Sequence, residues 1–282
     1  MERLRLSFVS AAVLVLVVAA SLGAARASAD PGGGVVRVSA GQPVQIAVVI
    51  DTQSPIIGDL GAGIYNAIKM AVGQRTVRGF PIRLNVFDVP GLVADDPNAV
   101  ADNAAAARQV VSNTQNVAVI GHETSLAFGN VQPPIGGVCP SPTDVSALSI
   151  YESANLVTIN GSTTNPCLPQ IGPTVFNSTA VPGDPFDAWY QGVQALPSDA
   201  SWRLAYQQQV GIPPPDFADL YYDATNVLLD QLQAVAKIAN GNLVIPRSAL
   251  AEAVRGTTGL CGVTGNLSLD PTGYRVNAIA AC

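Results

Sequence analysis

The sequence predicts an α/β fold, a doubly wound parallel sheet followed by a mainly helical second half, and three observations carry that prediction. Short β-branched runs recur at Val44–Ile50 and at residues 82–87, 117–120 and 156–159. Between them, apolar residues return at helical spacing. Gly, Pro, Asn and Asp punctuate the joins. Strand and helix alternating in this way build a parallel sheet through right-handed crossovers, with helices on both faces.

The first 29 residues read as an export signal. Arg3 and Arg5 give a positive start, residues 9–22 an apolar run, and Ala27-Ser28-Ala29 a small-x-small cleavage site. The run approaches membrane length, so an uncleaved anchor helix is the rival reading. No cysteine directly follows the site, which argues against a lipoprotein. The mature chain is expected to begin at Asp30 and to be soluble, in the periplasm or outside the cell. Residues 30–43 are Gly-rich and unpatterned, a flexible lead-in.

Each element then follows from its local pattern. Val44–Ile50 is continuously apolar, residues 51–58 are a loop, and Leu60, Ile64, Ala67, Ile68 and Ala71 mark one helix face. Residues 82–87 alternate and stop at Asp88. Asp96 before Pro97 is an N-cap with proline at the first helical position, opening an Ala-rich helix to about Val111. Residues 127–142 are irregular, an insertion before a short helix over 144–153. Past Phe176, helices are predicted over 184–196, 199–209 and 215–239, the last with Phe217, Leu220, Tyr221, Ala224, Leu228, Leu232 and Val235 on one face. Pro246 opens a further helix to Arg255, and residues 267–276 alternate around a Pro/Gly turn as a hairpin.

Composition narrows the function. With 48% hydrophobic and 12% charged residues the 282-residue chain can bury a large core and is not disordered. A net charge of -6 disfavours nucleic acid and anionic lipid as partners. Four cysteines in an oxidising compartment suggest two disulfides among three connectivities. Nearest-neighbour pairing, Cys139 with Cys167 and Cys261 with Cys282, closes two modest loops. A structural zinc site would need clustered ligands, and these cysteines are scattered in a chain with a single histidine.

The chemistry points to binding. The run VAVIGHETS, residues 117–125, and the run LVTINGSTTNP, residues 156–166, each end a buried strand in small hydroxyl residues, and two such ends side by side make a polar cup. No acid pair or metal cluster accompanies them, and no cofactor is implied. Gly58-x-x-Gly61-x-Gly63 is not the dinucleotide spacing and reads as a tight turn that lets a helix approach the sheet. An exported hydrolase is disfavoured, because no G-x-S-x-G elbow exists and His122 has no motif context; a hydrogen-bonded histidine at a strand end is the plainer reading. Asp95-Asp96 reads as a helix start rather than a metal site. Asn160, Asn177 and Asn266 head glycosylation sequons by pattern alone.

Six segments in one order carry a resemblance: VQIAVVIDTQSPIIGDLGAGIYNAIKMAV, IRLNVFDV with DDPNAVADNAAAARQVV, VAVIGHETS, LVTINGSTTNPCL with VFNST, FADLYYDATNVLLDQLQ, and GVTGNLSLDPTGYRVN. Together they resemble the type I periplasmic binding proteins, in particular the solute-binding component of ABC importers for branched-chain amino acids. The resemblance implies a non-enzymatic protein whose first lobe, residues 44–174, holds an amino acid or similar small carboxylate, with an ABC permease as partner. It implies ligand contacts at Ser125, Ser162 and Thr164, with Leu60 where an aromatic wall often stands. A carboxylate at strand ends and helix N-termini meets N–H dipoles and short hydroxyls and needs no formal positive charge. The departure lies after VFNST, where the family's second lobe normally adds several strand-helix units. Here about forty residues separate Phe176 from Phe217, so residues 175–282 are expected to form an incomplete second lobe. A ligand-free scaffold or interaction protein with a degenerate cleft is the alternative.

Overall fold

The computed structural model describes residues 34–53, 58–89, 98–123, 146–163, 168, 175–180 and 198–276. Strand β1 is Val35–Val38 and β2 is Val44–Ile50; helix α1, Gly58–Val72, leads through the two-residue β3, Thr76–Val77, to β4, Phe80–Asp88. Helix α2, Ala99–Ser112, precedes β5, Asn116–Gly121; helix α3, Ala147–Ser153, precedes β6, Val157–Asn160, and then β7, Val175–Ala180. The remainder is α4, Ala200–Val210; α5, Ala218–Val235; β8, Lys237–Ala239; β9, Asn242–Pro246; α6, Arg247–Arg255; β10, Leu260–Gly262; β11, Gly265–Leu269; and β12, Tyr274–Val276.

The apolar strands make the sheet the pattern predicts. A nine-stranded sheet runs β10-β11-β12-β7-β6-β5-β2-β4-β3, with β4, β2, β5, β6, β7 and β12 parallel and both ends antiparallel. Strands β2, β5 and β6 are buried on both faces, which is why they lack alternation. On one face Ile46, Val48 and Ile50 pack with Ile64 and Ile68 of α1 and Leu228 and Leu232 of α5. On the other, Ala47, Val49 and Val119 meet Ala107 and Val110 of α2 and Tyr151 of α3. Each fully buried aliphatic side chain contributes about 1.5–3 kcal/mol, so these two clusters dominate the fold's stability.

Local signals set the helix ends. Ser146 caps α3 reciprocally with Ser149: the Ser149 N–H donates to Ser146 Oγ at 3.3 Å, and the Ser146 N–H to Ser149 Oγ at 3.2 Å. Asp199 caps α4 by accepting from the Ser201 N–H at 2.7 Å. Helix α2 begins at Ala99 with Asn98 at its N-cap; Asp96 and Pro97, expected to open it, the insertion at 127–142 and the helix expected at 184–196 lie outside the described residues.

Three expectations change. The lead-in of residues 30–43 contains β1, which pairs antiparallel with β9 from Val35 opposite Pro246 to Val38 opposite Leu243; Val36 and Val38 are buried there. Four residues of VVRV are too few to announce a strand, and the partner lies some two hundred positions away. The long helix ends at Val235 rather than at 239, because residues 237–239 turn back as β8 against β9. Most consequentially, the described part of residues 175–282 does not stand apart from the first lobe. Strands β7, β12, β11 and β10 extend the same sheet, and α5 lies against α1 across its face. The apolar stripe of α5 has its complement in α1, and burying it there completes one lobe from both halves of the chain.

Candidate functional site

In the sheet, β2 has β4 on one side and β5 on the other, so the chain reverses its winding between β2 and β5. The loops leaving two such strands in opposite directions open a crevice at their carboxyl ends, the place where α/β folds bind ligands. Asp51 follows β2 and Glu123 follows β5, both buried. Asp88 ends β4 and Ser162 follows β6.

Asp88 holds the loop after β2. The Thr52 N–H donates to its Oδ1 at 3.0 Å, the Gln53 amide to its Oδ2 at 2.9 Å, and the Thr52 hydroxyl also bonds to Oδ2. Partial burial works to raise its pKa, but these donors outweigh it and hold the carboxyl below the usual carboxylate range. Asp51 closes the loop by accepting from the Gln53 N–H at 3.0 Å. Glu123 behaves oppositely. Burial, reinforced by the charges of Asp51 and Asp88 against one favourable Asp51 main-chain bond, pushes its carboxyl up to about 8, so it is protonated at neutral pH. Two glycines permit this packing. A Cβ on Gly61 would stand 1.8 Å from the Asp51 carbonyl oxygen and 2.6 Å from Glu123 Oε1. Gly121, at φ 127°, lies so close to Val49 that a Cβ would be 2.2 Å from its carbonyl oxygen.

His122 is locked into the core. Asn103 donates its amide to the Ala99 carbonyl at 2.8 Å, which leaves Oδ1 to accept from His122 Nδ1 at 2.6 Å; Nε2 then accepts from the Tyr151 hydroxyl at 3.0 Å. Burial lowers the imidazole to about 3 and raises the Tyr151 phenol, so both are neutral. Neither ring nitrogen faces a serine hydroxyl among the described residues. No group of three His, Cys, Asp or Glu among them could hold a metal ion.

Ser162 follows β6 and is buried, with its hydroxyl already engaged. It donates to the Glu123 carbonyl at 2.5 Å and lies 3.0 Å from the Tyr221 hydroxyl, which donates to the His122 carbonyl at 2.9 Å. Thr163 bonds back to Asn160 through both its N–H and its hydroxyl, which shapes the NGST turn. Asn160 is fully buried, so its sequon is inaccessible in the folded chain. Leu60, half-buried on the first turn of α1, lines an open groove of about 510 Å³ together with Asp59, Ile212, Pro213, Pro215, Asp216 and Phe217. Ser125, Thr164, Cys139, Cys167 and Cys282 lie outside the described residues; Cys261 is exposed on β10. The acids Asp51, Asp88 and Glu123 escaped sequence reasoning as site residues, although each stands at or within two residues of the end of β2, β4 or β5.

No protein-family model and no curated protein matches the sequence. Solved structures do match. A leucine-binding protein, LivK, from Thermotoga maritima aligns over 82% of this chain and 92% of its own at 16% identity, with a TM-score of 0.61. The branched-chain amino acid transporter substrate-binding protein LivJ from Streptococcus pneumoniae, in complex with isoleucine, aligns over 83% and 94% at 14% identity and TM-score 0.60. An ABC-transporter solute-binding protein from Rhodopseudomonas palustris, in complex with 3,4-dihydroxybenzoic acid, aligns over 83% and 91% at 12% identity and TM-score 0.61. Likeness at these identities speaks for architecture, and on it the chain has the type I periplasmic-binding fold of the ABC-transporter substrate-binding proteins.

Proposed function

We propose that the chain is an exported, non-enzymatic solute-binding protein of an ABC importer, which takes an amino acid of the branched-chain type or a similar small carboxylate at the carboxyl edge of its sheet. The observation that carries the reading is the polar crevice at the β2/β5 switch point, in a fold whose solved neighbours include one in complex with isoleucine and one in complex with an aromatic acid. Ser162 donates its hydroxyl hydrogen bond to the Glu123 carbonyl, so its part is to hold the loop after β5 in place. The carboxylate contacts then fall to the hydroxyls of Ser125 and Thr164 and to neighbouring main-chain N–H groups. Thermal melting of the purified chain tests this, because a ligand bound only by the folded state raises stability as RT ln(1 + [L]/Kd). Leucine, isoleucine and 3,4-dihydroxybenzoate at millimolar concentration should include at least one that raises the melting temperature in proportion to ln[L]. Ser125→Ala and Thr164→Ala should each abolish the rise and leave the unliganded melt unchanged.

The second reading, a ligand-free scaffold that binds a protein partner on the same face, draws on the engagement of Ser162 and Thr163 within the protein itself. Absence of any shift in a well-folded sample would favour it.

A further inference from the structure

Charge is sorted by end in this fold. Exposed Asp59, Asp88 and Asp216 stand at the carboxyl ends of the parallel strands or on the segments beside them. The small sheet β1-β9-β8 closes the opposite end, where Val36 and Leu243 share a core with Val44 and Phe80, the first residues of β2 and β4. Its strands read VVRV, NLVIP and KIA and contain no acid, in a chain that has 20. Register fixes which side chains share its outer face. Arg37 lies directly opposite Val244, and Val244 opposite Lys237, so two exposed cations flank one half-buried valine on the side turned from the core. Val35, 48% exposed, pairs with Pro246 on the same face. Arg78 donates its Nε–H to the Ala236 carbonyl at 3.2 Å, which brings a third exposed cation beside Lys237.

These charges are not answered by acids on the same sheet. No carboxylate bonds to Arg37, Arg78 or Lys237 among the described residues; Asp230, the acid nearest in sequence to Lys237, is engaged by Arg75. Glu152 and Glu252 lie on α3 and α6, outside the sheet. Arg247, directly after β9, is buried and donates to the main-chain carbonyls of Ala154, Thr114 and Asn116, so its charge adds to the field at this end. The acids at the crevice are remote from it: the seven residues of β2 span about 23 Å, more than two Debye lengths of about 10 Å at about 0.1 M salt. A net charge of -6 therefore disfavours anionic partners for the surface as a whole and leaves this one face positive.

We infer that the outer face of this small sheet is a docking surface for anionic phospholipid headgroups, with Arg37, Lys237 and Arg78 over the phosphates and Val35 and Val244 against the interface. Sequence order favours a lipid surface over an acidic protein. Twelve residues separate the apolar run that ends at Leu22 from Val35, at most about 45 Å of extended chain, so while the run remains attached the sheet is held within reach of the membrane. Three exposed bases make only a weak attachment by themselves, and such tethering raises their effective concentration at the surface. A chain resting on this end keeps the crevice at the β2/β5 switch point turned to solvent. The inference goes beyond solute binding and does not depend on it.

Flotation of the purified chain from Asp30 onward with phospholipid vesicles at millimolar lipid tests this. Vesicles containing about 30% phosphatidylglycerol should carry the chain upward, vesicles of phosphatidylcholine alone should not, and about 0.5 M salt should release it. Arg37 and Lys237 are exposed, so Arg37→Gln and Lys237→Gln should leave the thermal melt unchanged. Each should weaken binding to the anionic vesicles about fivefold, and the two together more than tenfold. Arg203→Gln removes an exposed base on α4, outside the small sheet, and should change nothing. No flotation with anionic vesicles, or equal flotation with phosphatidylcholine alone, would overturn the inference. So would flotation undiminished in the Arg37→Gln, Lys237→Gln double variant, or weakened as much by Arg203→Gln as by Arg37→Gln. Retention of the chain on immobilised polyglutamate but not on anionic vesicles would give the face to an acidic protein and overturn it as well.

Discussion

Tyr221 on α5 donates its hydroxyl hydrogen to the main-chain carbonyl of His122, 2.9 Å away, and so ties a helix from the last third of the chain to the loop that leaves β5. Ser162, just after β6, holds the same loop through its own bond to the Glu123 carbonyl. The crevice is thus shaped from behind by buried bonds between three distant segments, and its loops do not have to hold themselves.

Tyr221→Phe removes that link while keeping the ring. The His122 carbonyl loses this buried donor, which should cost about 1–3 kcal/mol. A urea denaturation midpoint that drops with an unchanged slope would show it. An unchanged midpoint would mean the bond contributes nothing net.

The carboxyl of Glu123 gives stability a pH dependence. The folded chain keeps a proton up to about pH 8 that the unfolded chain, at the ordinary value of 4.5, releases earlier. This group therefore makes stability fall as pH rises from 4.5 to about 8, with a slope approaching about 1.4 kcal/mol per pH unit. His122 acts in the opposite direction: the unfolded imidazole takes a proton below 6.5 and the buried one resists until about 3, so stability falls as pH drops through that window. The two effects offset between 4.5 and 6.5, and above 6.5 that of Glu123 stands alone. Glu123→Gln should flatten the loss between pH 6.5 and 8 seen in denaturation of the unsubstituted chain; a parallel loss in the variant would assign it to other groups.

Much of this was legible in the sequence, and what was not has a physical pattern. Continuous runs such as VQIAVVI and NVAVIG declare themselves because a strand buried on both faces needs no alternation. The stripe on α5 was equally plain, but its partner was not, since nothing in the spacing of Leu228 and Leu232 says that α1 rather than a second lobe covers them. Strands β1, β8, β9 and β10 are only three to five residues long and owe their state to pairing, β1 with the distant β9, and β8 and β10 with hairpin partners next to them. At the site, motif position singles out Ser162 and Leu60, and the structure places Ser162 after β6 and Leu60 on the first turn of α1. The roles of Asp51, Asp88 and Glu123 depend on which strands become neighbours, and a sequence does not print its strand order.

Gly61→Ala tests the close contact between α1 and the crevice. A methyl group 1.8 Å from a backbone oxygen cannot be accommodated by rotating a side chain, so helix and loop must separate. A loss of about 3 kcal/mol or more is expected in equilibrium unfolding. A normal midpoint would show that α1 can slide away from Asp51 at little cost.

Export and oxidation make a linked prediction. Amino-terminal sequencing of the exported product should start at Asp30, and peptide mapping without reductant should recover Cys139 joined to Cys167 and Cys261 joined to Cys282. Each bridge closes a loop of about twenty to thirty residues, for which chain entropy suggests roughly 3 kcal/mol. An intact Met1 on a membrane-bound product, or a bridge between Cys167 and Cys261, would contradict the respective half.

The central claim is that a small solute binds at the carboxyl edge of the sheet, at the switch point between β2 and β5. Amide chemical-shift mapping of the isotopically labelled chain, titrated with leucine, addresses it residue by residue. The claim predicts saturable shifts concentrated at Asp51 to Gln53, Leu60, Gly121 to Glu123 and Ser162, with Asn116, Arg247 and the β1-β9-β8 sheet at the opposite end unmoved. Shifts centred on that opposite end, or no shifts at millimolar leucine, would contradict it.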